Sequence, residues 1–153
     1  MKVIGFECSG EELTFAVLED SPRDTTLIVR ETRKAPANFT RPQVLQWLRK
    51  EVHAILDKYQ PENGAYKAAQ PMPGRPVSQE RCQFEGILME AALSHQIQLS
   101  LEGLITKQLK KNLGLSKVTG TDCLQDLVDT KFSSIPKKYS TAVLIGLSQL
   151  EIN

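Results

Sequence analysis

Val3-Ile4-Gly5-Phe6-Glu7-Cys8-Ser9-Gly10-Glu11-Glu12-Leu13-Thr14-Phe15-Ala16-Val17-Leu18 is the stretch on which the fold turns. Val3 to Phe6 is a short apolar run, and Leu13, Phe15 and Val17 alternate with Thr14, Ala16 and Leu18, so both faces of the second segment are apolar enough to be buried. Ser9-Gly10-Glu11-Glu12 supplies the turn between them, which predicts a hairpin. A third strand is expected around Thr26-Leu27-Ile28-Val29-Arg30, reached through the Asp20-Ser21-Pro22-Arg23 turn. The three strands then form an antiparallel meander.

Beyond this the period changes. Thr40-Arg41-Pro42-Gln43 has a capping Thr, a Pro in the first turn and a Gln three residues after the Thr. Val44, Leu45, Leu48, Val52, Ile55, Leu56 and Tyr59 follow at steps of three and four, predicting an amphipathic helix over 41–59 that Pro61 ends. A short strand is expected at Gly64-Ala65-Tyr66-Lys67, then a loop dense in breakers, Gln70-Pro71-Met72-Pro73-Gly74-Arg75-Pro76. Ser78 caps a second helix running to about Ser94. Its inner side is expected to carry Cys82, Leu88, Met89, Ala92 and Leu93, with Gly86 allowing close approach to a neighbour. Ile97 and Leu99 alternate with polar residues as a strand would. Helices are expected from about Glu102 to Asn112, from about Asp122 to Asp129 behind Thr119 or Thr121, and from Lys138 to Leu150. A meander leading into alternating helix and strand implies an α/β fold: a mixed five-stranded sheet, extended by βαβ crossovers, with helices on both faces.

The whole chain of 153 residues, 41% hydrophobic and 24% charged, fits one domain over 1–153 with a continuous core. Its apolar runs are too short to cross a bilayer, and Glu7 comes too early for a signal peptide, so the expected location is cytoplasmic, with no membrane partner. Three cysteines, Cys8, Cys82 and Cys123, suit reduced thiols better than a disulfide framework. Nineteen Lys plus Arg against eighteen Asp plus Glu leave a net charge of +1, which gives no global pull toward nucleic acid. That balance conceals a local imbalance. Lys107, Lys110, Lys111 and Lys117 lie in a stretch, 103–118, that contains no acid.

The order of elements, with an acidic residue closing the first strand and a hairpin directly after it, resembles the ribonuclease H-like superfamily, and its lengths the Holliday-junction-resolvase branch. Within that branch the chain resembles the small bacterial family known as a domain of unknown function, DUF3010. The resemblance rests on Val3 to Gly10, on Tyr66-Lys67 before the Gly/Pro loop, on Phe84-Glu85-Gly86-Ile87-Leu88-Met89-Glu90-Ala91-Ala92 and on Ile105-Thr106-Lys107-Gln108-Leu109-Lys110-Lys111-Asn112.

The resemblance implies a chemistry and a departure from it. Active members of the superfamily hold two divalent metals between carboxylates from the first strand, the fourth strand and the last helix, and cleave phosphodiesters with a metal-activated water. Glu7 stands at the first station. At the second, next to Lys67, the chain has Ala68-Ala69-Gln70, and near the third Tyr139-Ser140-Thr141-Ala142. The site is thus depleted to Glu7, which reads as a vestigial catalytic or metal-binding position or as a charge partner of Lys67. No cofactor is expected; Mg²⁺ or Mn²⁺ enters only under the alternative of a divergent nuclease, for which Glu85, Glu90 or the Asp122, Asp126, Asp129 stripe would have to supply ligands. His53 and His95 have no nucleophile at motif spacing, and the cysteines and glycines form no zinc or phosphate-loop motif.

What remains is basic. Lys107, Lys110 and Lys111 share one helix face; Arg75 and Arg81 bracket the breaker loop, and Lys67 lies before it. Lys137 and Lys138 open the last helix. Such groups contact phosphates without reading sequence. The expected function is a non-catalytic, resolvase-like module binding DNA or RNA through Lys67, Arg75, Arg81, Lys107, Lys110 and Lys111. The alternatives are a divergent nuclease using Glu7 and a protein-interaction domain without nucleic acid. Trp47, at the edge of the first helix's apolar face, offers either a homodimer contact or a partly buried core residue.

Overall fold

In the computed structural model, which describes residues 1–118 and 122–151, β1 (Lys2–Cys8), β2 (Glu12–Asp20) and β3 (Thr25–Lys34) form the expected meander. Then come α1 (Arg41–Tyr59), β4 (Asn63–Lys67), α2 (Gln79–Ser94), β5 (Glu102–Leu104), α3 (Thr106–Asn112), α4 (Asp122–Lys131) and α5 (Ser140–Glu151), the last entered through a 3-10 turn at Lys137–Tyr139. The sheet has five strands in the order β3-β2-β1-β4-β5. β1 pairs antiparallel with β2, and β2 with β3, whereas β4 runs parallel to both β1 and β5. The fold is α/β, with helices on both faces, as the order of periods implies. Among the described residues no helix is long and apolar enough to cross a membrane.

Side-chain alternation along β1 assigns the two faces. Ile4, Phe6 and Cys8 belong to a core shared with Leu48, Val52, Ile55 and Leu56 of α1 and Phe84 and Leu88 of α2. Val3 belongs to the opposite core, with Leu109 of α3, Val128 of α4 and Ala142 to Leu147 of α5. α5 is therefore an apolar helix laid across the sheet rather than an amphipathic one at its surface. Gly5 makes this possible: a Cβ there would run into the Ala142 carbonyl and the Gly146 amide. With no side chain between them, α5 seats against β1, and its first turn is held near the carboxyl ends of β1 and β4.

The α1 bounds match the sequence reading. The Gln43 side chain accepts from the Thr40 amide at 2.8 Å, and the chain leaves the helix through left-handed Gln60. Three expectations are corrected. Ile97 and Leu99 are not a strand: Gln98, at φ 49°, turns the chain back so that Leu99 N donates to Ala92 O, and both apolar residues cover the end of the first core as irregular chain. The fifth strand is instead Glu102–Leu104, paired with Ala65 to Lys67, so α3 starts at Thr106, not Glu102. Its strand character is carried by a position that excludes a side chain, since a Cβ on Gly103 would meet the Tyr66 ring. On α2, Phe84, Leu88, Ala91 and Ala92 are buried, while Cys82 is exposed and Met89 and Leu93 are 39% and 56% exposed; Gly86 faces open space rather than a neighbour. Trp47 is half-buried against the first core. Thr119 and Thr121 lie outside the described residues, as does the side chain of Asp122.

Candidate nucleic-acid interface

Glu7 and Lys67 occupy the last positions but one and last of two neighbouring parallel strands, β1 and β4. The register Gly5↔Ala65 and Phe6↔Tyr66 brings them side by side. Both project to the α5 face, since Val3 and Ala65, an even number of residues away, lie in the α5-side core. α5 meets them with Thr141. A concavity of about 220 Å³ is lined by Glu7, Lys67, Ala68, Gln70, Arg81 and Thr141. A second, of about 320 Å³, shares Lys67 and Thr141 with it and runs under α5 between Thr106, Leu109, Leu124, Gln125, Lys137, Ser140 and Leu144. A third, of about 310 Å³, shares Gln70 and Arg81 and extends along the breaker loop past Met72, Arg75 and Ser78. Together they make one trough across the carboxyl ends of β1, β4 and β5, the edge at which open α/β sheets present ligand sites.

The trough is positively charged. Lys67, Arg75, Arg81 and Lys137 line it against the single carboxylate of Glu7. Its floor is tied down by hydrogen bonds. Lys67 Nζ donates to Ala68 O at 3.3 Å and to Gln70 Oε1 at 3.2 Å, and the same Gln70 oxygen accepts from the Thr106 amide and hydroxyl, both at 3.1 Å. Arg81 donates to Lys67 O at 3.3 Å and to Glu85 Oε1 at 3.2 Å, while Glu85 Oε1 also accepts from Ala69 N at 2.8 Å. The segment leaving β4 is thereby clamped to the first two turns of α2, whose N-cap Ser78 accepts from Arg81 N.

The expected Glu7–Lys67 charge pair is not a direct one, because the ammonium is turned to Ala68 and Gln70. Burial lowers the Lys67 pKa from its usual value and Arg81 lowers it further, against the opposing pull of Glu7 and Glu85. On the other face of β1, burial, reinforced by the Glu85 charge, pushes the Cys8 thiol up to about 12, which fits an inert core thiol.

The residues present do not fit a two-metal centre. Among the described residues no three His, Cys, Asp or Glu side chains converge as metal ligands. Glu85, the nearest rescue candidate, is committed to Ala69 N and Arg81. Glu90 is paired with Arg49 and accepts from Ser94 Oγ, Asp126 and Asp129 are exposed on α4, and the side chain of Asp122 lies outside the described residues. An ammonium and a guanidinium stand beside Glu7 where further hard oxygen ligands would be required.

Five of the sequence-selected groups meet in the trough: Glu7, Lys67, Arg75, Arg81 and Lys137. The α3 lysines do not line these three concavities. Thr106 and Leu109 are the α3 residues that do, and Lys107 and Lys111, each two residues from buried Leu109, leave the helix from the opposite side, exposed; Lys110 is half-buried. The residues that sequence reasoning passed over are Gln70, Thr106, Gln125, Ser140 and Thr141. For Gln70, Ser140 and Thr141 the signal was the polar, uncharged content of the stations where carboxylates were expected; Thr106 and Gln125 carried none. His95, buried at the end of α2, donates from Nε2 to Asp57 Oδ1 at 2.6 Å while its Nδ1 accepts from Ile97 N, so both ring nitrogens are held in structural hydrogen bonds. A further concavity, of about 420 Å³, is lined by residues of α1 alone and has no converging groups from a second element.

The fold is that of the ribonuclease H-like resolvases. Thermus thermophilus RuvC superposes with a TM-score of 0.82 at 16% identity, covering 99% of this chain and 94% of that one. RuvC of the same organism in complex with Holliday junction substrate gives 0.74 at 16% identity, over 99% and 93%. The yeast mitochondrial Holliday junction resolvase Ydc2 gives 0.69 at 10% identity, over 97% of this chain and 77% of that one. No family model matches the chain, so the narrower resemblance to DUF3010 has no support, and no curated protein matches it.

Proposed function

We propose that this chain is a non-catalytic nucleic-acid-binding module, in which a cationic trough takes the place of a metal centre. The observation that carries the reading is Lys67 beside Glu7, at the strand end and next to the position where the superfamily resemblance calls for a second carboxylate. A lysine there reverses the local charge: it repels a divalent cation and attracts the phosphate that a metal would otherwise bridge. Arg75 and Arg81 extend the positive lining along the breaker loop, and Lys107, Lys110 and Lys111 add a second basic surface on α3. The resolvase structures that superpose include one described as a complex with Holliday junction substrate, which makes four-way junction DNA the first probe to offer.

The test is fluorescence anisotropy on a labelled four-way junction and on linear duplex of the same length, in EDTA, over a salt series. Binding whose affinity falls steeply with salt, and less steeply after Lys107→Glu with Lys111→Glu, supports the reading; each phosphate contact removed lowers the slope by about 0.9. No binding to either DNA at low salt contradicts it.

A further inference from the structure

We infer that the cavity between the end of β4 and α3, α4 and α5 is a phosphate site that works without a metal ion, built from Lys67, Lys137 and the Ser140 hydroxyl. This deepens the nucleic-acid reading by naming where one phosphate is seated. Two independent observations support it.

The first is the lining. Lys67 and Lys137 approach from separate elements, Thr106, Gln125 and Thr141 supply neutral polar groups, and no carboxylate among the described residues lines the cavity. Glu7 borders only the neighbouring concavity. Lys67 already donates to Ala68 O and Gln70 Oε1, which fixes its ammonium in place and leaves one of its three N–H groups for a ligand.

The second is Ser140. The residue is 5% exposed, it lines this cavity, and its Oγ is the one buried side-chain polar atom among the described residues without a hydrogen-bond partner. Buried hydroxyls are partnered as a rule, because the desolvation cost of an unpartnered one is not returned. A phosphate oxygen in the cavity accepts that O–H and removes the penalty. The position is also electrostatically apt: the turn that leads into α5 carries Lys137 and Lys138, and the first turn of α5 contains no acid. Leu109, Leu124 and Leu144 form the remaining wall, and at about 320 Å³ the cavity exceeds a bare phosphate, so it accepts a phosphate still attached to its sugar.

The experiment is an NMR titration of the full chain in EDTA, following the backbone amides of residues 137–144, with inorganic phosphate and with two otherwise identical short oligonucleotides, one bearing a 5′-phosphate and one with a free 5′-hydroxyl. Saturable shifts at 137–144 with inorganic phosphate are expected, weakened about tenfold by Lys67→Gln and about threefold by Ser140→Ala. Lys50→Gln, on α1 away from the trough, leaves the phosphate affinity unchanged. A preference for the phosphorylated oligonucleotide identifies a strand terminus as the source; equal binding of both, lost in Lys67→Gln, identifies a backbone phosphate. Phosphate affinity that is the same in wild type and Lys67→Gln, or shifts that avoid 137–144, overturns the inference. The two readings fail separately. If junction DNA binds but is indifferent to Lys67→Gln and Ser140→Ala, the phosphate site is wrong and the nucleic-acid reading stands. If phosphate shifts 137–144 but no DNA binds, the site stands and the nucleic-acid reading falls.

Discussion

Glu7 and Lys67 stand next to each other at the ends of two parallel strands, on the face covered by α5, yet the Lys67 ammonium bonds to Ala68 O and Gln70 Oε1 instead of to the Glu7 carboxylate. The lysine is thus held by neutral acceptors and keeps its charge for the trough, while Glu7 acts on it only at longer range. A metal centre needs the opposite arrangement, several oxygens converging on one point with no cation among them.

Because burial and Arg81 lower the pKa of Lys67, its charge is lost at a lower pH than that of an ordinary lysine. Only the ammonium holds a phosphate, so wild-type binding falls as pH rises through that lowered value, before 10.5. Stability moves the other way: between the folded and unfolded pKa values the unfolded chain binds more protons, so folding becomes more favourable as pH rises there. Lys67→Arg, which stays charged, reduces the alkaline loss of binding and moves its onset to higher pH. Superimposable binding profiles from pH 7 to 10.5 for wild type and Lys67→Arg contradict this.

If carboxylates are all that a metal centre lacks, they can be supplied. Lys67→Asp with Thr141→Asp places two acids on the lining shared with Glu7. Thermal unfolding of the double variant is expected to shift upward with Mn²⁺, by about 2.7 kcal/mol of stability at a hundredfold excess over Kd, with no shift in wild type. A Mn²⁺-dependent rise in wild type of the same size counts against the account.

The seating of α5 depends on Gly5. Gly5→Ala drives a methyl into the Ala142 carbonyl and the Gly146 amide, backbone atoms that cannot step aside, and is expected to cost about 2 kcal/mol or more, seen as a Tm lowered by about 4 °C or more. Gly146→Ala mainly meets the flexible end of Leu18 and is expected to cost less. Equal Tm values for wild type and Gly5→Ala contradict the close seating.

Thiol reactivity separates the cysteines. Cys8, buried and with its pKa pushed up to about 12, stays unmodified by iodoacetamide at pH 8, while exposed Cys82 is alkylated; mass mapping of the labelled native protein reads this directly.

Patterns that repeat over many residues were legible. The hairpin, the 41–59 helix and the mixed sheet all follow from period and turn chemistry, and the register of β1 with β4 puts Glu7 beside Lys67, as the strand readings implied. Short elements were not. Three residues of β5 have no period, and Ile97 and Leu99 copied a strand's alternation while serving as a cap on the core. The inward face of α2 was misjudged because apolar residues occur all round it, so that tertiary packing chose Phe84 and Ala91 over Cys82 and Leu93. The trough itself was half legible. Its charges stood out in the sequence, whereas Ser140, Thr141 and Gln70 are ordinary polar residues until three strand ends and one helix start bring them together.

The most direct measurement is a four-way junction incubated with the protein, with binding and strand cleavage read from the same samples in EDTA, Mg²⁺ and Mn²⁺. The account predicts binding of equal strength in EDTA and at low metal, weakened about tenfold by Lys67→Gln, with the DNA strands intact throughout. Metal-dependent cleavage by wild type that disappears in Glu7→Gln would contradict it.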